Sequence, residues 1–156
     1  MLEENFKHKV FVTGVFGSGK TYFCQNFVEK GGSHRYIAFD MHYDYSGKTL
    51  DPVYDEMERH DKFIIDALPR NDTREGGERF IDYYLKNQCT IILIKCNLDT
   101  WLGRLRSKAW YRQQDQDHYE KCYEEFYNEW VDDVLINSPI EGKIAIHDSS
   151  TNQPEV

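Results

Sequence analysis

Short β-branched and aromatic runs alternate along the chain with longer stretches whose apolar residues recur at helical spacing. That alternation predicts a parallel sheet covered by helices, because crossover helices join parallel strands. Lys9-Val10-Phe11-Val12-Thr13 reads as a first, buried strand. Thr21 to Glu29 reads as a helix stopped by Gly31-Gly32. Arg35 to Phe39 reads as a second strand ending at Asp40. Met41 to His60 is polar and aromatic, and reads as a loop with one or two short helices over the sheet edge. Lys62 to Ile65 reads as a third strand ending at Asp66. After a turn at Leu68–Asn71, Asp72-Thr73-Arg74-Glu75 has capping-box spacing and opens a helix to about Asn87. Thr90 to Ile94 is apolar without a break, which predicts burial on both faces. Helices are expected over Asn97–Arg106 and Asp115–Ile136. In the second, Tyr119, Tyr123, Phe126, Tyr127 and Trp130 fall on one side, as a core stripe does. Lys143 to Ile146 reads as a short last strand. Residues 1–148 then form one domain, followed by a polar tail over 149–156.

Between the first strand and the first helix lies Gly14-Val15-Phe16-Gly17-Ser18-Gly19-Lys20-Thr21, which satisfies GxxxxGK[ST]. Glycines let successive backbone N–H groups point at one oxygen cluster, and the following helix N-terminus adds partial positive charge. Lys20 is then placed for the β- and γ-phosphates of a nucleoside triphosphate, and Thr21 for magnesium. Asp66, at the end of an apolar strand, is the expected second magnesium-holding group.

Composition narrows the partners. The net charge of −8 argues against a long duplex footprint, since nonspecific binding needs a basic surface. The four cysteines, Cys24, Cys89, Cys96 and Cys122, match no zinc spacing, and reduced thiols are expected. The N-terminus lacks the pattern of a signal peptide, and no apolar run is long enough to span a membrane. The expected location is the cytoplasm.

Switch GTPases, motor ATPases and kinases share such a loop. A guanine-reading Asn-Lys-x-Asp is absent, and Asp44-Tyr45-Ser46-Gly47 has no apolar strand leading into it. A motor places a second carboxylate beside the metal-binding one, whereas Ala67 follows Asp66. The remaining class is the kinase, which needs an acceptor site and cations over the transferring phosphoryl group.

On the loop, Asp40, the segment Asp66-Ala67-Leu68-Pro69-Arg70 and the arginines from Arg104, the chain resembles the P-loop kinase superfamily. That group holds nucleoside monophosphate kinases, shikimate and gluconate kinases, and polynucleotide 5′-hydroxyl kinases. The resemblance implies a three-layer α/β/α fold with five parallel strands in the order 2-3-1-4-5, and ATP with Mg2+. It makes Arg70 a phosphate-binding candidate, by similarity to the Asp-Gly-Phe-Pro-Arg signature of adenylate kinases, with Ala67 in place of glycine. It puts a short lid around residues 104–114, with Arg104 and Arg106 on the transferring group and Lys108 and Arg112 in support. Trp110 and Tyr111, within that stretch, suit stacking on a base or packing under the lid. Hydroxyl kinases of this group often carry an Asp where Asp40 stands. A carboxylate at the carboxyl edge of the sheet can accept the acceptor's proton, whereas a phosphate acceptor needs no base. The expected activity is therefore ATP-dependent transfer of the γ-phosphate to a hydroxyl of a nucleoside, nucleotide or nucleic-acid 5′ end. The alternatives are a nucleoside monophosphate kinase and a regulatory NTPase without an acceptor. The aromatic residues of Met41–Arg59 (Tyr43, Tyr45 and Tyr54) favour a nucleoside-like acceptor. Arg70, Arg74 and Lys48 would meet the flanking phosphates of a nucleic-acid end.

Overall fold

The computed structural model describes residues 9–30, 33–67, 83, 90–128 and 144–148. The elements are β1 (Lys9–Thr13), α1 (Lys20–Glu29), β2 (Arg35–Ala38), α2 (Phe39–His42), α3 (Asp51–Glu58), β3 (Phe63–Ala67), β4 (Thr90–Lys95), α4 (Leu98–Arg106), α5 (Gln116–Glu125) and β5 (Ile144–Asp148). A 3-10 turn, Gln113–Asp115, precedes α5. The strands form one five-stranded sheet in the order β2-β3-β1-β4-β5, every pair parallel. This is the order the sequence resemblance implies.

Side chains alternate across a strand, so each strand feeds two cores. On one face Val10, Val12, Ile64, Ile92 and Ile94 pack with Cys24 of α1, joined by Phe23, Phe27 and Tyr36. On the other, Phe11, Ile37, Ile65, Ile91 and Leu93 pack with Val53, Tyr54 and Met57 of α3 and with Trp101, Leu102 and Leu105 of α4. The aromatic stripe of α5 joins this second core. Phe126 is buried, while Tyr119, Tyr123 and Tyr127 pack against the core. Their polar tips find partners: Tyr123 donates to the Cys96 carbonyl at 2.6 Å, and the Cys96 amide donates to the Tyr127 oxygen at 3.0 Å. Among the described residues no helix is long and apolar enough to cross a membrane. Cys24, Cys96 and Cys122 are free thiols.

Several boundaries differ from those read in the sequence. β2 ends at Ala38, and Phe39 and Asp40 open α2 instead of closing the strand. β3 continues through Asp66 to Ala67, because Asp66 pairs in register with Val12 and Ala38. β5 runs two residues beyond Ile146, pairing with β4 as far as Asp148. Asp115 lies in the 3-10 turn, so α5 begins one residue later than expected. The helix expected over Asp72–Asn87 lies outside the described residues except for Tyr83. That residue is buried against Tyr54, with ring centroids 5.3 Å apart. Trp130 and the tail over 149–156 also lie outside them.

Candidate active site

The loop from Gly14 to Thr21 leaves the carboxyl end of β1 and turns into the first residue of α1. Gly17 and Gly19 have φ of 76° and 104°, backbone angles that side chains with a Cβ rarely adopt. At Gly14 the constraint is closeness: a Cβ there would lie 2.5 Å from Ser18 Oγ and 3.0 Å from the Ile94 carbonyl oxygen. The curl is held by the Ser18 amide donating to the Val15 carbonyl at 3.1 Å. Trp101, fully buried in α4, braces it from outside, its Nε1–H donating to the Phe16 carbonyl at 2.6 Å. The Phe16 ring lies edge-on to Trp101, with centroids 5.3 Å apart, and also meets Trp110 and Tyr119.

Lys20 reaches back along the loop and donates to the carbonyls of Gly14 at 2.9 Å and Val15 at 3.1 Å. Burial lowers its pKa from the usual 10.5 to about 8, against the opposing pull of the Asp66 and Asp40 charges. Asp66 is buried at the centre of the arrangement. Its Oδ2 accepts from Thr21 Oγ1 at 2.9 Å and from the Tyr36 hydroxyl at 2.8 Å, and its Oδ1 accepts from the Phe39 amide at 3.4 Å. Burial and the charge of Asp66 push the Tyr36 phenol well above its ordinary pKa, so it stays a donor.

Lys20, Thr21 and Asp66 line a cavity of about 240 Å3 together with Phe16, Phe39, Asp40 and Tyr45. Asp40 is exposed and accepts from the Tyr45 hydroxyl. Tyr45 sits on a turn built by Asp44, whose Oδ1 takes the amides of Ser46 and Gly47, each at 3.0 Å. The sequence Asp44–Gly47 is thus a side-chain-capped turn.

The arginines divide. Arg104 Nη1 donates to the Ser18 carbonyl at 3.2 Å and contacts Cys96 Sγ at 3.4 Å, so it joins the phosphate loop. Arg106 turns away and donates to Gln116 at 3.3 Å. Two residues along a helix point some 200° apart, so one helix end cannot aim both at the same loop. Arg112 is exposed at the start of the 3-10 turn and does not line the cavity. Arg70 and Arg74 lie outside the described residues. Trp101 and Tyr36 were not singled out as site residues in the sequence. A tryptophan one turn before Leu105 on a helix facing the sheet is the visible sign of the first, and a tyrosine two residues before the end of β2 that of the second.

The residues present fit a magnesium nucleotide. Magnesium takes one or two protein oxygens and completes its shell with water and phosphate. The adjoining Thr21 hydroxyl and Asp66 carboxylate supply such a partial set, beside a curled loop and a lysine. Among the described residues no cluster of His, Cys, Asp and Glu forms a full protein-only metal cage.

No family model matches the chain, and neither does any curated protein. Solved structures of like fold include a gluconokinase from Sinorhizobium meliloti 1021, with TM-score 0.57 and 11% identity over 92% of this chain and 83% of that one. A sugar kinase from Janibacter sp. HTCC2649 has TM-score 0.53 and 11% identity over 94% and 87%. A shikimate kinase from Bacteroides thetaiotaomicron has TM-score 0.50 and 18% identity over 76% and 79%. Taken with the strand order and the curled Gly14–Thr21 loop, these likenesses show that the chain has the P-loop kinase fold.

Proposed function

We propose that the protein is an ATP-dependent kinase that transfers the γ-phosphoryl group to a hydroxyl of a small, nucleoside-like acceptor. The observation that carries this reading is the placement of Asp40 on the same cavity as Lys20, Thr21 and Asp66. A carboxylate facing a phosphate site suits proton removal from a hydroxyl, and it would repel a phosphate acceptor.

The loop amides and Lys20 bind the phosphates, and Arg104 keeps the loop curled through the Ser18 carbonyl. Thr21 and Asp66 would hold magnesium, which would neutralise part of the phosphate charge. In the transfer, a bond forms between the acceptor oxygen and the γ-phosphorus as the bond from that phosphorus to the bridging oxygen breaks. The acceptor's proton passes to Asp40, and the nucleoside diphosphate leaves. Tyr45 yields its place on Asp40 to the acceptor hydroxyl. Phe16 and Tyr45 offer aromatic surface to the rest of the acceptor, which favours a flat or apolar portion such as a nucleobase. Among the described residues lining the cavity Lys20 is the sole cation, so the flanking phosphates of a nucleic-acid end would find little purchase there. The kinases of like fold are named for small molecules, which agrees with that choice.

A screen of nucleosides, mononucleotides and sugar acids with γ-labelled ATP and magnesium tests the reading. Asp40→Asn is expected to slow transfer to the preferred hydroxyl by about 10²–10⁴-fold, the usual worth of a general base, while ATP affinity holds. Undiminished transfer by Asp40→Asn removes the base assignment. Equal labelling of phosphate acceptors by wild type removes the hydroxyl assignment.

A further inference from the structure

Asp66 receives more support than a magnesium-holding carboxylate needs from Thr21 alone. Asp66 and Ile64 lie on the α1 face of β3, and Tyr36 lies on the same face of β2. The residue directly beside Asp66 in β2 is Ala38, and Tyr36 is paired with Ile64, one step back on that face. The small Ala38 side chain leaves room for the tyrosine to lean forward along the strand. Its ring is packed against the core of Val10, Val12, Cys24 and Ile64, which fixes where the hydroxyl ends. The hydroxyl meets Asp66 Oδ2 at 2.8 Å, on the same oxygen that Thr21 meets at 2.9 Å.

We propose that Tyr36 is a positioning residue for the divalent cation, holding the Asp66 carboxylate in its metal-ready rotamer. A carboxylate oxygen offers about two lone-pair directions, and the hydroxyls of Thr21 and Tyr36 take both on Oδ2. The carboxyl plane is thereby pinned, with Oδ1 turned toward the Phe39 amide at the root of α2, on the cavity side. With Tyr36 in place the carboxylate does not have to be ordered when the cation arrives. Without it, Asp66 keeps Thr21 and the Phe39 amide but loses the second hydroxyl on Oδ2, and the cation must complete the ordering of the carboxylate. This inference rests on the magnesium-nucleotide reading of the loop and adds to it a residue that touches neither phosphate nor acceptor.

The test is Tyr36→Phe, which keeps the ring and its packing and removes one oxygen. Binding of a fluorescent N-methylanthraniloyl ATP is titrated with magnesium, and separately measured in EDTA. The expected result is a roughly tenfold higher magnesium concentration at half-saturation, as befits the loss of a hydrogen bond to a charged group. Affinity for the nucleotide in EDTA stays within twofold of wild type. In an Asp66→Asn background Tyr36→Phe is expected to change the magnesium dependence no further. An unchanged magnesium dependence overturns the proposal, and so does tighter magnesium binding, which would make Tyr36 a competitor of the cation. An equal loss with and without magnesium overturns it as well, in favour of a packing role. If Tyr36→Phe fails to fold, Tyr36→Met, which fills similar space without a hydroxyl, takes its place, and wild-type magnesium dependence in that variant is equally fatal. A wild-type protein without magnesium-dependent nucleotide binding sinks the loop reading itself, whereas dependence that ignores Tyr36 sinks this inference alone.

Discussion

The two sides of the cavity are built differently. On the phosphate side the loop is tied to its neighbours at several points: Trp101 to the Phe16 carbonyl, Arg104 to the Ser18 carbonyl, and Lys20 to the carbonyls of Gly14 and Val15. On the acceptor side Asp40 and Tyr45 stand exposed, on a four-residue helix and the turn after it; the Tyr45 hydroxyl donates to Asp40 and its ring meets buried Tyr43 edge-on. Backbone amides that must converge on an anion gain from preorganisation, because reorganising them at the moment of reaction costs rate. An acceptor site gains from shape, and short exposed segments change shape at little cost to the sheet. On the proposed function, the general chemistry belongs to the braced side and the choice of substrate to the exposed one.

Lys20→Ala breaks the comparison hardest. It removes the braced side's cation that lines the cavity, and transfer is expected to fall by about 10²–10³-fold, by analogy with the loss of a single oxyanion donor. Single-turnover transfer with γ-labelled ATP reads the loss. Acceptor affinity, measured separately, is expected to stay within a few-fold, because Lys20 donates to the carbonyls of Gly14 and Val15 on the phosphate side. A large loss of acceptor affinity would mean that the two sides act as one.

The braced side was also the legible side. A fixed motif between a buried strand and a helix located the loop, and the parallel sheet followed from apolar runs separated by helical stretches. The strand order came from the resemblance that the loop and the strand-end carboxylates carry. Asp66 is legible because it closes the apolar run Phe63-Ile64-Ile65. The misjudged positions are those where tertiary contacts outweigh local pattern. Asp40 opens a helix because the Phe39 amide turns toward Asp66, a contact between residues 27 positions apart. Arg104 and Arg106 look equivalent in sequence, and only the helix rotation relative to the loop separates them. Trp101 is 85 positions from Phe16 and carries no motif. The segment from Leu68, with Arg70, lies outside the described residues.

A pH series sharpens the comparison with a smaller effect. Lys20 in the folded protein keeps its proton only to about pH 8, where an exposed lysine keeps it to about 10.5. Bound phosphate stabilises the charged form, so binding above pH 8 must be accompanied by proton uptake. Affinity for the nucleotide is expected to fall about tenfold between pH 7 and pH 9, the consequence of a one-unit excess of pH over the free-state pKa. Calorimetry in buffers of different ionisation enthalpy reads both the loss and the proton. Stability without nucleotide has the opposite trend. Between about pH 8 and 10.5 the unfolded chain binds more protons at Lys20 than the folded one, so this group's contribution favours folding as pH rises. A nucleotide affinity flat across pH 8 would mean that the lysine is not the phosphate-facing cation.

The smallest effect is the most searching, because it probes a residue that belongs to both sides. Phe16 gives its carbonyl to Trp101 and its ring to the cavity wall. Trp101→Phe keeps an aromatic ring in the core, deletes the Nε1–H donor, and leaves the Phe16 carbonyl without that partner. Losing such a bond costs about 1 kcal/mol, and more when the carbonyl finds no water. The substitution also leaves a small void in the core where the larger ring stood, which lowers thermal stability. The two contributions separate by measurement: melting temperature carries both, whereas magnesium-ATP affinity carries the loop alone. That affinity is expected to weaken about fivefold, the equivalent of roughly 1 kcal/mol. The KM of the acceptor is expected to hold, because the Phe16 ring also leans on Trp110 and Tyr119 and keeps its place at the wall. Should the acceptor KM move more than the nucleotide affinity, the tryptophan is setting the wall rather than the anion cup. The boundary between a fixed phosphate half and an adaptable acceptor half would then run through Phe16 in the other direction.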